Sequence, residues 1–161
     1  MPRELHHTAY ARRPYAEICD EVAADPKGVI AAAADAAVRH ANQLVANVDA
    51  AMAFFAPLDE VDIDVQSLRR KGNHHSWLYF TWTADPDRRL LPNVDAQLDL
   101  VPLVPAGPEA LTVLSIHGHY MPPPSMFASM EEAVLGRRIV DAAMHRFLNH
   151  LADSLAAAGA D

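Results

Sequence analysis

The stretch Val94-Asp95-Ala96-Gln97-Leu98-Asp99-Leu100 alternates apolar and polar side chains without a break. Period two is the signature of a strand with one face buried and the other in water. Working outward, the same period recurs. Val61, Ile63 and Val65 alternate with Asp62, Asp64 and Gln66. His75–Ala84 is aromatic and β-rich, with Trp77, Tyr79, Phe80 and Trp82, and Leu111–Tyr120 is another apolar run. Val48, Ala50, Met52 and Phe54 give a weaker alternation over 47–55. The connectors carry turn residues: Ala56-Pro57-Leu58-Asp59, Lys71-Gly72-Asn73, Asp85-Pro86-Asp87 and Pro105-Ala106-Gly107-Pro108. Connections this short join antiparallel neighbours, because parallel pairs need a crossover of about a dozen residues or more.

On either side of the strands the period becomes helical. Asp25-Pro26 is a start signal: Asp caps free N–H groups and Pro suits the first helical position. Ile30, Ala33, Ala34, Ala37, Val38, Ala41, Leu44 and Val45 follow at helical spacing, which predicts a helix over 26–45. Pro14 opens a shorter helix over Tyr15–Ala24, with Ile18, Cys19 and Val22 on one side, and Thr8–Arg13 before it reads as a short strand. After the stiff Met121-Pro122-Pro123-Pro124-Ser125 turn, Met130, Val134, Val140, Met144, Phe147, Leu151 and Leu155 form an apolar stripe, with Arg137, Arg138, Asp141, Arg146 and Asp153 off it. A helix from 126 to 157 would be roughly 45–50 Å long.

The order strand, two helices, several strands, long helix predicts an α+β fold. A curved antiparallel sheet wraps around the long C-terminal helix, and two short helices after the first strand close one end. The 161 residues, 51% hydrophobic and 21% charged, suit one domain over 1–161. A net charge of −8 argues against nucleic acid as partner, since phosphate binding relies on clustered Lys and Arg. No apolar run reaches the roughly 20 residues of a membrane helix. Cys19 is the single cysteine, so no internal disulfide and no cysteine-rich zinc site is expected. The N-terminal Met1-Pro2-Arg3-Glu4-Leu5-His6-His7 lacks the apolar run of a secretory signal, and a cytoplasmic location is the default expectation.

Several stretches, in order, resemble the START-like (SRPBCC) superfamily, the helix-grip fold of polyketide cyclases, plant pollen-allergen (Bet v 1-like) proteins and lipid-transfer domains. They are Arg13-Pro14-Tyr15-Ala16-Glu17-Ile18 with Asp25-Pro26; Leu91-Pro92-Asn93-Val94-Asp95-Ala96-Gln97-Leu98; Leu111-Thr112-Val113-Leu114 through Gly118-His119-Tyr120-Met121-Pro122-Pro123; and Gly136-Arg137-Arg138 through Phe147-Leu148 and Leu151. The resemblance implies a cavity between the sheet and the long helix. It implies no particular activity, since such a fold hosts carriers, sensors and enzymes.

The residues expected to line that cavity are Phe54, Leu78, Phe80, Trp82, Leu98, Leu114, Ile116, Tyr120, Met130 and Met144. This takes the even face of 75–84 as inward, which leaves Trp77 and Tyr79 outside, under a loop or in a subunit interface. The Tyr120 hydroxyl could meet a bound polar group or a backbone carbonyl. Gly118 permits close approach of backbone or ligand, or marks a β-bulge. His117 and His119 share a face and could bind a metal together, but their face is the less apolar one, so both are expected to point to solvent and no metal or other cofactor is expected. Asp62, Asp64, Asp95 and Asp99 read as a solvated outer face, and Arg137 and Arg138 as a surface pair.

No nucleophile elbow, phosphate-cradling loop or His-Glu-x-x-His motif is present. The expected function is binding of an apolar or amphipathic small molecule. Two alternatives stand beside it. One is a polyketide cyclase- or dehydratase-like enzyme using polar cavity residues, with His75 and Tyr120 as its acid–base groups. The other is a protein-interaction module or homodimer using Trp77 and Tyr79.

Overall fold

Residues 2–46, 61–84, 93–121 and 130–158 are described by a computed structural model. The elements run β1 (Arg3–Ala11), α1 (Tyr15–Ala24), α2 (Pro26–Ala46), β2 (Val61–Val65), β3 (Arg69–Lys71), β4 (His75–Ala84), β5 (Asn93–Val104), β6 (Leu111–Met121) and α3 (Met130–Ala158). The strands form one antiparallel sheet of order β1-β6-β5-β4-β2, with β3 paired to the start of β4. The long C-terminal helix packs along β1 and against α2. This is the helix-grip α+β architecture expected from the element order.

Local chemistry accounts for the boundaries. Asp25 caps α2 through Oδ1, which accepts the Gly28 N–H at 3.0 Å. Gly72, at φ +63°, makes the tight turn between β3 and β4 that a side chain would strain. The alanine stripe of α2 is its packing face: Ala33, Ala34, Ala37 and Ala41 are fully buried beside Ile30 and Val38. Small side chains let α2 and α3 approach closely. On α3, Val140, Met144, Phe147, Leu151 and Leu155 are buried as expected, whereas Val134 is 52% exposed and lies off the packed face. The expected strand over 47–55 and the expected helical residues 126–129 lie outside the described residues.

Two strands differ from the sequence expectation. β1 begins at Arg3, five residues before Thr8, because Leu5 and Ala9 alternate inward across the polar His6, His7 and Thr8. β3 has no counterpart in the sequence expectation, because Arg69-Arg70-Lys71 is wholly exposed and has no apolar period to reveal it; only Lys71 falls in an expected connector. Gly118 is not at a bulge. An added Cβ would sit 2.2 Å from the Asp95 carbonyl oxygen and 2.6 Å from Ala96 Cα, so glycine allows β5 and β6 to close on each other. The one irregularity of that pair is at Pro102/Val104.

The end of the sheet beneath α1 is tied shut. The Tyr15 hydroxyl bonds Ser76 Oγ at 2.5 Å, and the Cys19 thiol donates to the same oxygen at 3.4 Å. Arg13 reaches Glu17 and Glu21 on α1 and donates to the Leu155 carbonyl at 3.0 Å, one of the unpaired C=O groups near the end of α3. Arg70 pairs with Asp20 at 2.9 Å.

Candidate functional site

Alternation and register place the inner face without ambiguity. Ser76, Leu78, Phe80 and Trp82 of β4 are buried, and Leu98 pairs with Leu78 and with Ile116. The even face of 75–84 is therefore the inward one. Leu78, Phe80, Trp82, Leu98, Leu114, Ile116, Tyr120 and Met144 all join one buried cluster with α3. Phe54 and the Met130 side chain lie outside what is described.

Much of that interior is occupied. The Phe147 ring of α3 stacks on Phe80 at 5.4 Å and meets Trp82 edge-on at 6.0 Å. At the end of the sheet away from α1, Trp82 pairs with Val94, Val94 with Tyr120, and Tyr120 with Arg3. Tyr120 is 5% exposed. Burial pushes its phenol pKa up, Asp141 adds to the rise, and Arg3 and Arg137 oppose it. It is therefore a neutral hydroxyl at physiological pH. His7, on the same face of β1, lies beside His145 of α3 with ring centroids 6.1 Å apart. Burial pulls the His7 pKa down; Asp141 opposes this, and His145 and His6 add to the fall. At this end the opposite, outer face of the sheet carries an open cleft of about 450 Å³, lined by the exposed Thr81, Thr83, Asn93, Asp95, His119 and Met121 and reaching Val94 and Tyr120; it lies on the side of the sheet away from α3.

The outer face holds a cluster that sequence reading missed. Asp99 was expected in water, yet it is only 8% exposed. His75 Nε2 lies 2.6 Å from its Oδ1, and the Gln97 amide donates to the same oxygen at 2.8 Å. His117 Nδ1 stands 3.1 Å from Oδ2, but Oδ2 is buried and accepts no well-aligned hydrogen bond. The Trp77 ring covers His75 with centroids 5.0 Å apart. The two imidazole nitrogens face different carboxylate oxygens and do not converge. Among the described residues no group of three or more such side chains could hold a metal ion. His117 and His119 are exposed, as expected from their face, but His117 leans on Asp99. The only signal in the sequence is that Asp99 stands between Leu98 and Leu100 in the middle of a long strand. Its two histidine partners come from other strands.

The acid–base pair suggested for an enzyme is not brought together. His75 is on the outer face near the α1 end, and Tyr120 is on the inner face at the other end. Arg137 and Arg138 are exposed, and Arg137 acts on Tyr120 through its charge.

No family model matches the sequence, and no curated protein matches it. Solved structures do. A conserved protein from Geobacillus kaustophilus is 8% identical over 94% of this chain and 97% of its own, with a TM-score of 0.42. The Zhui aromatase/cyclase from Streptomyces sp. R1128 is 11% identical over 96% and 94%, with a TM-score of 0.37. Truncated norcoclaurine synthase from Thalictrum flavum is 10% identical over 96% and 93%, with a TM-score of 0.40. Among the described residues no helix is long and apolar enough to cross a membrane.

Proposed function

We propose that the chain binds an apolar or amphipathic small molecule between the sheet and α3, with the ligand's polar group at Tyr120. The Tyr120 hydroxyl carries this reading. It belongs to a nearly buried side chain and stays protonated. A neutral phenol at that position can donate one hydrogen bond to a polar group of a ligand. Trp82 and Val94 continue the same row as an apolar wall. Burying ligand area there would contribute about 25 cal/mol per Å² before the cost of ordering the ligand. One polar contact would then set its orientation.

Native mass spectrometry of protein purified from its own host tests the idea, followed by titration calorimetry with the recovered compound or a panel of apolar carbonyl compounds. The expected result is a retained small molecule whose affinity falls about tenfold in Tyr120→Phe, the worth of one hydrogen bond. If nothing is retained and nothing in the panel binds, the reading fails. If binding ignores the Tyr120 substitution, the assigned orientation is wrong.

A further inference from the structure

The outer face of the sheet is polarised along its strands. At one end Asp62 and Asp64 on β2, Asp95 on β5 and Glu4 on β1 are all exposed, with His119 among them. At the other end stand Arg69 and Lys71 on β3 and Arg12 just beyond β1, also exposed, with Glu109 in the turn past them. Between the ends lie Tyr79, 41% exposed, and the half-buried Trp77. Tyr10, 59% exposed, adds apolar surface on the basic side. A centre of Tyr and Trp with charges at the rim is the composition of a protein interface.

The register locates the charges. Along the edge beside β4, Asp64 opposes Thr81 and Lys71 opposes His75. Six strand residues separate these rows, roughly 20 Å, and Trp77 and Tyr79 straddle the midpoint. We propose that this face is the interface of a two-fold dimer of the chain, packed with the acidic end of one copy over the basic end of the other. A two-fold axis in the interface plane, perpendicular to the strands and passing between Trp77 and Tyr79, exchanges the ends while keeping the β2–β3 edge on the same side. Asp64 of each copy then faces Lys71 of the other, twice by symmetry. An axis parallel to the strands would instead set carboxylates on carboxylates. A second copy is the occupant that this self-complementary pattern fits, and like-charge juxtaposition disfavours the other orientation.

Each copy carries a net charge of −8, so added salt both screens repulsion between copies and weakens the specific pairs. Charge exchange is the cleaner test. Sedimentation velocity over rising concentration should show a reversible monomer–dimer equilibrium. Asp64→Lys alone and Lys71→Asp alone should each weaken it on the order of tenfold, since each change acts at two symmetric contacts worth about 0.5–1 kcal/mol apiece. Mixing the two single variants should restore dimerisation as a heterodimer, because both contacts then join opposite charges. Both residues are exposed, so unchanged circular dichroism is expected. A chain that stays monomeric at every concentration overturns the proposal. So does a dimer that ignores the single substitutions, or single variants that fail to pair on mixing.

Discussion

The two faces of the sheet share one backbone and are held by different physics. Inward, Leu78, Leu98, Leu100, Leu114 and Ile116 are fully buried against helices, so the face is organised by apolar area and packing. Outward, the side chains next to them make specific polar contacts, with Asp99 at the centre between His75 and His117. The inner face therefore tolerates no loss of volume. The outer face depends on geometry, and its members can take water when a partner is lost. The difference also separates roles: the inner face has the apolar wall and the Tyr120 hydroxyl, and the outer face has a charge pattern.

The largest test of this contrast is Phe147→Ala. The ring packs on Phe80 and Trp82, and truncating it should cost about 3–5 kcal/mol in urea unfolding, through lost transfer energy plus the cavity. A cost near 1 kcal/mol would mean that the interior collapses freely and is not tightly packed there. Asp99→Ala should cost less, about 1–3 kcal/mol, because a charged hydrogen-bond acceptor is lost but His75 and His117 are partly exposed and rehydrate. Equality with Phe147→Ala would place Asp99 among the core-forming residues.

The smallest effect concerns pH. His7 has its pKa lowered, chiefly by burial, so the unfolded chain binds its proton more readily than the folded one. Its contribution to stability is present above the ordinary histidine value of 6.5 and is lost as pH falls below it, through the lowered native value. Unfolding midpoints followed from pH 7.5 to 5 should fall, and His7→Gln should flatten the decline. An unchanged slope in the variant would show that His7 does not couple the β1 edge to α3 through its charge.

Much of the architecture was legible. Period two from 61 to 65 and from 94 to 100, the helical stripe after Asp25-Pro26, and the stripe from Val140 to Leu155 each follow from a solvent boundary that repeats along the chain. β3 was not legible, because three consecutive charged residues carry no such boundary. All eight of the expected cavity residues whose side chains are described are buried in one cluster, which strand parity and, for Met144, the helical stripe predict. That Phe147 fills the middle of the interior was not predictable, since a stripe says which side of a helix faces in, not what it meets.

By itself the sequence determined which residues share a face and which stretches are helices, because both depend on periods of 2 and 3.6 that local geometry imposes. It also put Trp77 and Tyr79 on the face opposite Leu78, Phe80 and Trp82, while burial against the helices decided which of the two faces is inward. Only the tertiary structure decided the rest. Register between strands brings His75 to an aspartate 24 residues away, and sets Asp64 and Lys71 on one edge with the aromatics between them. Parity does not contain register: a strand can slide by two residues and keep every side chain on its face, so long-range pairing alone chooses which polar groups meet.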